Sequence, residues 1–167
     1  VGALILAGSG NNAGDGFVVA RYLHALGADV IVWLTVPRQT ISNESDPGAN
    51  LLLLEKLDVP VIEVLSPDDV TRREELVRNA DIVVDAMLGT GANREVAEPM
   101  RSTIQLANDA FLLGKFIVAL DLPSGLDAHE DRTHGIALRA RLTCTYGAMK
   151  PGLVTELGRF YAGQIEL

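Results

Sequence analysis

The feature that most constrains the fold is the alternation of short apolar runs with helix-forming stretches. Val1–Ala7 is continuously apolar up to Gly8, as expected of a strand buried on both faces. Val30–Val36, Val59–Val64, Asp81–Leu88, Phe116–Pro123 and Arg141–Ala148 follow as strand candidates, and "FYAGQIEL" at the end as a short seventh. Asp15 and Gly16 open the first helix, with Asp15 as its cap, and it runs to about Leu26 before Gly27. Ser45–Asp46–Pro47 opens a second helix with a cap and a first-turn proline. Ser66–Pro67–Asp68–Asp69 opens a third, reaching about Asn79, with acids on the positive end of the dipole. A fourth runs from about Glu98 to Leu113. Strands alternating with helices imply right-handed βαβ units and one α/β domain over residues 1–167, its mostly parallel sheet covered on both faces.

Charge and apolar run length narrow the function. The net charge of -8 argues against a general nucleic-acid or membrane-surface role. The apolar runs are far shorter than the ~20 residues of a membrane span. The one cysteine, Cys144, permits no intrachain disulfide, which fits a reducing cytoplasm; it reads as a small apolar residue of a strand.

In sheets of this kind, ligands bind outside the carboxyl ends of the strands. Three polar clusters fall there: "GSGNNAGDG", "DAMLGTGANRE" and "DLPSGLD". Gly8-x-Gly10-x-x-x-Gly14 is similar to a dinucleotide-binding turn, but such a turn needs an acid after the second strand to hold a ribose. Pro37, Arg38 and Gln39 stand there instead, which weakens the reading as a redox-cofactor domain. Arg38 reads as a surface arginine, with phosphate contact as the other choice. Asn11 and Asn12 serve either as turn formers or as neutral oxygen ligands. Asn12, Asp85 and Ser124 together offer an amide oxygen, a carboxylate and a hydroxyl, a set suited to a weakly held hard cation. Asp121, near the end of an apolar strand, is either a cleft carboxylate or a structural one fixing the Pro123–Gly125 turn. His24, His129 and His134 lack metal-ligand spacing, and Ser124 lacks the surroundings of a hydrolase nucleophile. Lys150 reads as a phosphate contact or a solvated loop lysine.

Taken together, "GNNAGDGFVVARYLHALGADV", "DIVVDAMLGTG", "VALDLPSGLDA" and "TYGAMKPGL" resemble the NAD(P)H-hydrate epimerase family, the YjeF N-terminal domain. The resemblance implies a Rossmann-like α/β/α fold and interconversion of the R and S epimers of hydrated NADH and NADPH. It implies that Asn11, Asn12, Ala13, Gly14 and Asp15 line the substrate site, with Gly89, Thr90, Gly91, Ala92, Asn93, Arg94 and Glu95 as a second substrate loop. Asp121 matches the substrate-contacting acid and is the expected catalytic residue. Asn12, Asp85 and Ser124 match potassium ligands. Ala13 departs from the family's glycine. The resemblance further implies helical sequence ahead of the first strand, which makes this chain a fragment, and a homodimer at full length. It also implies a fused or separate ADP-dependent dehydratase as partner, the fused form following "GRFYAGQIEL". The alternatives are an oxidoreductase and a non-catalytic interaction scaffold of the same fold.

Overall fold

A computed structural model describes residues 2–167; Val1 lies outside the described residues. The elements in chain order are β1 (Gly2–Ala7), α1 (Asn11–Ala25), β2 (Asp29–Leu34), α2 (Asp46–Glu55) and β3 (Val61–Glu63). Then come α3 (Pro67–Arg72), α4 (Glu74–Asn79), β4 (Ile82–Ala86), α5 (Met100–Leu112) and β5 (Phe116–Leu120). β6 (Leu142–Cys144), α6 (Glu156–Ala162) and β7 (Gln164–Glu166) complete the chain. The strands form one sheet in the order β3-β2-β1-β4-β5-β6-β7, and every neighbouring pair is parallel. The result is a three-layer α/β/α fold of Rossmann-like form. The chain builds the sheet outward in one direction from β1 to β3, then returns to β1's other side with β4. That reversal is the switch point at which strand-end loops splay apart and leave a crevice.

Alternation along the strands divides the interior into two cores. Ala3, Ile5 and Ala7 of β1, with Val32, Leu34 and Val84, face Phe17 of α1 and Leu51 and Leu54 of α2. Leu4 and Leu6, with Trp33, Val83 and Ile117, face Val70, Val77 and Ile104 of the other layer. Both sets are buried, which is why the strands read as unbroken apolar runs rather than alternating ones. A third cluster, including Leu122, Leu126, Leu153 and Ala162, packs beneath the long segment after β5.

The structure shortens the strand expected at Arg141–Ala148 to Leu142–Cys144 and corrects three further boundaries. First, α1 begins at Asn11, with Gly10 in the extended cap position and no side-chain cap bond, so Asp15 lies inside the helix and does not cap it. The reason is close packing. A Cβ on Gly16 would overlap the Ala86 side chain, so the missing side chains let α1 start directly behind β1 and lie against β4. Second, the helix expected from Ser66 to Asn79 is broken at Arg73, whose backbone (φ -118°, ψ 12°) leaves the helical region. Arg73 Nη1 reaches back to Asp69 Oδ1 at 3.3 Å there. Third, most of "FYAGQIEL" is not strand. Thr155 caps α6 by accepting the Gly158 N–H at 3.0 Å, and Gly163, at φ 64°, ends that helix, leaving only Gln164–Glu166 to pair with β6.

The β1 and β4 ends meet without room for a side chain between them. A Cβ on Gly8 would collide with the Met87 carbonyl oxygen, whereas one on Gly10 would meet nothing within 4 Å. Gly8→Ala is expected to destabilise the fold by about 1–3 kcal/mol in urea unfolding, the range for overpacking a fixed site. Gly10→Ala should stay within about 0.5 kcal/mol, as at an open surface position.

Candidate active site at the sheet's switch point

The expected cation-type residues come together around Leu88. Asp85, on β4, is wholly buried. Its Oδ2 accepts the Ser124 N–H at 2.7 Å, and its Oδ1 accepts the Ser124 hydroxyl at 2.6 Å and the Met87 N–H at 3.2 Å. Ser124 Oγ in turn accepts the Leu88 N–H at 2.9 Å. Asn12 Nδ2 donates to the carbonyl of the same Leu88 at 2.9 Å. Leu88 thus joins the start of α1 to the loops after β4 and β5. Asn12 Oδ1 is buried and has no hydrogen-bond partner among the described residues. A buried acceptor without a donor is one that a bound group could satisfy. Burial pushes the Asp85 carboxyl up to about 6, against the pull of the Ser124 and Met87 bonds. Ser124 can reach Asp85 with both its N–H and its hydroxyl because Gly125 turns the chain at φ 90°, where a Cβ would strike the Ile136 carbonyl.

Asp121 follows β5 directly and takes a left-handed backbone, φ 63°. Its N–H donates to the Cys144 carbonyl at 2.7 Å. Its Oδ1 accepts the Tyr146 N–H at 3.2 Å, the Thr145 hydroxyl at 3.4 Å and the Lys150 ammonium. Lys150 also donates to the Tyr146 carbonyl at 2.7 Å. Asp15 lies near enough to sense this group. Partial burial, and next the charge of Asp121, push its carboxyl up. Burial first, then Asp15, Cys144 and Asp121, push the Tyr146 phenol up to about 12. Two acids, one ammonium and one phenol therefore share the carboxyl edge of the sheet.

The other expected residues divide. Ala13 and Gly14 are buried in α1 packing, while Asn11 is exposed at its start. Gly89 lies against Asn12, where a Cβ would stand 3.2 Å from the asparagine Cβ. Thr90, Gly91, Asn93, Arg94 and Glu95 are exposed, and Ala92 is half-buried. Arg94 and Glu95 form no ion pair among the described residues. Ala92 through Glu95 border a small cavity of about 180 Å³ floored by Leu88, Val96 and Met100. The second loop is thus open beside the cluster.

Lys150 is not a solvated loop lysine, since its side chain is only 15% exposed and paired with Asp121. Its role was hidden because it depends on β6 lying next to β5; a motif after the sixth strand was the available signal. Thr145 and Tyr146 were missed for the same reason. The Arg38 guanidinium grips Glu55 at 2.6 and 3.2 Å, Asn43 and the Ile41 carbonyl. No group of three or more His, Cys, Asp or Glu is placed to hold a metal among the described residues. His134 is buried, 3.5 Å from Asp127. Cys144 is half-buried, and burial, then the Glu166 charge, push its thiol up. A cavity of about 500 Å³ at the opposite end of the sheet, among Gly2, Leu4, Val30 and Leu76, holds none of the expected residues. No helix among the described residues is long and apolar enough to cross a membrane.

The coupling of the two acids is directly measurable. In Asp121→Asn, the Asp15 carboxyl should titrate at lower pH than in the wild type, because a charge that disfavours its ionisation is gone. Carboxyl-carbon NMR reads this; an unmoved Asp15 would mean that the two acids do not interact.

Comparisons with known proteins place the chain in a family. The model of the family described as YjeF-related protein N-terminus matches residues 2–152. The chain is 36% identical over 166 residues to the NAD(P)H-hydrate epimerase of Pirellula staleyi, covering 98% of this chain and 70% of that protein. It is 38% identical over 150 residues to the bifunctional NAD(P)H-hydrate repair enzyme Nnr of Methanopyrus kandleri, covering 90% of this chain. The chain spans only 29% of that bifunctional relative. In fold it is similar to the crystal structure of a yeast protein, ynu0, with a TM-score of 0.74 at 23% identity, covering 89% of this chain and 59% of that one. With nearly its whole length matched and with relatives above 30% identity, this chain belongs to the YjeF-related N-terminal family.

Proposed function

We propose that this chain is an NAD(P)H-hydrate epimerase, an isomerase that interconverts the R and S forms of hydrated NADH and NADPH. The observation that carries the reading is Asp121, held by Lys150 at the switch-point edge beside Asp15. Asn11–Asp15 and the Gly89–Glu95 loop would line the bound cofactor.

The substrate carries a hydroxyl at C6 of the reduced nicotinamide ring. Protonation of that hydroxyl lets it leave as water with the C–O electron pair, and the ring nitrogen shares the resulting positive charge. Water then adds to the opposite face and gives up a proton. A carboxylate at the ring edge serves both halves: it stabilises the cation and accepts the proton from the incoming water. Asp121 fits that role. Asp15, whose carboxyl is pushed toward the neutral form, fits proton delivery to the departing hydroxyl. A ring-opening route would use the same groups.

Potassium suits the Asn12, Asp85 and Ser124 oxygens. When bound it would supply fixed positive charge that orders the loops and offsets the substrate diphosphate. Asn12 Oδ1, buried without a partner, is the acceptor that such an ion would satisfy. We further infer a homodimer for the full-length protein, an ADP-dependent dehydratase as its partner in cofactor repair, fused or separate, and a cytoplasmic setting.

A coupled assay tests the function. The R epimer of hydrated NADH is supplied with excess S-specific dehydratase, ADP and potassium. NADH absorbance should recover faster with the chain than by spontaneous epimerisation. Asp121→Asn should lower that catalysed rate by about 10²–10⁴-fold, the usual contribution of a positioned proton-transfer group. A near-wild-type rate would remove Asp121 from the mechanism.

The cation site has its own readout. Potassium and a proton compete for Asp85, and burial favours the proton up to a pH of about 6. Thermal stabilisation by potassium chloride over tetramethylammonium chloride is therefore expected at pH 8 and lost at pH 5. Equal melting temperatures in the two salts at pH 8 would exclude the site.

A further inference from the structure

The three side-chain and backbone donors that reach Asp121 all arrive on one oxygen and come from one loop. Thr145 Oγ1, Tyr146 N–H and Lys150 Nζ converge on Oδ1. Among the described residues, nothing donates to Oδ2. A carboxylate bound in this way is single-ended: one oxygen is anchored and the other remains available.

The loop that does this is fixed at both ends. On one side it leaves β6, where Thr145 is buried and its N–H donates to the Glu166 carbonyl at 2.8 Å. On the other it enters a 3-10 turn, Pro151–Val154, whose Leu153 is fully buried. Gly152 donates to the Ala128 carbonyl at 2.8 Å, and a Cβ there would collide with the Asp127 carbonyl. Between these anchors Tyr146 through Met149 are exposed, and Lys150 points back under them to Asp121 and to the Tyr146 carbonyl. The ammonium also meets the repulsion that Asp121 and Asp15 would otherwise impose on each other across the crevice.

We propose that Lys150 is the positioning residue for Asp121: with Thr145 and Tyr146 it holds Oδ1 and leaves Oδ2 to meet the substrate. The proposal rests on the epimerase reading of the same site. It differs from a phosphate-binding role for Lys150, in which the ammonium would act on the substrate directly.

The experiment compares wild type, Lys150→Met, Lys150→Arg, Asp121→Asn and the Asp121→Asn/Lys150→Met double variant in the coupled assay. Lys150→Met should lower kcat by about 10²-fold, the scale of a reacting group misplaced by an ångström, with KM near wild type. Lys150→Arg, which keeps a donor and the charge, should recover part of the loss and guards against simple misfolding. The double variant should be no slower than Asp121→Asn alone, because residues acting as a unit are not additive. A wild-type kcat in Lys150→Met, a loss confined to KM, or losses that multiply in the double variant would each overturn the proposal. A wild type that does not epimerise would overturn the proposed function instead. The positioning contact then has a separate readout, the ¹⁵N–¹H resonance of the Lys150 ammonium. Loss of that signal in Asp121→Asn supports the contact, and an unchanged signal overturns it.

Discussion

Taking the Asp85 carboxylate wholly out of water is the constraint on which the site depends. An unpartnered buried charge is costly, so the fold must bring donors to it. The chain just after β4 contributes one, the Met87 N–H. The others come from Ser124, which reaches Asp85 only because β5 lies beside β4 and the chain turns sharply at Gly125. Ser124 then fixes Leu88, and Leu88 fixes Asn12. One buried acid thereby ties the start of α1 to the loops after β4 and β5. The same arrangement leaves the Asn12 amide oxygen buried without a donor among the described residues.

Asp121 illustrates the opposite use of a carboxylate. It is partly open to the crevice, and it occupies a left-handed backbone that costs a residue with a side chain about 1–2 kcal/mol. Its N–H bond to Cys144 and the contacts on Oδ1 offset that strain. Strained backbone of this sort persists where the surroundings over-determine it, and it concentrates at functional sites. Here the surroundings are β6 and the loop after it, held from below by a separate small core. That core includes Leu153, beside the Lys150 loop, and Ile165 of β7 packs against it.

The site is therefore assembled on rigid elements with one open margin. Asn12, Asp85, Ser124 and Asp121 sit on or next to strands and a helix, whereas Thr90 through Glu95 stand exposed beside them. Rigid groups suit proton transfer, which depends on geometry, and an exposed loop suits admission of a large dinucleotide.

Much of this was legible in the sequence, for identifiable reasons. Strands buried on both faces must be continuously apolar, so Leu4–Ala7 and Val83–Val84 announced a parallel sheet, and strand-end clusters announced where a ligand would lie. Local chemistry was less informative where packing overruled it. Asp15 looks like a helix cap, yet small residues allow α1 to begin four residues earlier against β4. Lys150 looks like a surface lysine because nothing near it in sequence pairs with it. Only the adjacency of β5 and β6 brings it to Asp121. Hydrophobic periodicity by itself determined the α/β class and the strand-end loops in which the candidate acids lie. Which groups those acids touch was decided by tertiary structure alone, because strand order, not sequence distance, sets which loops meet.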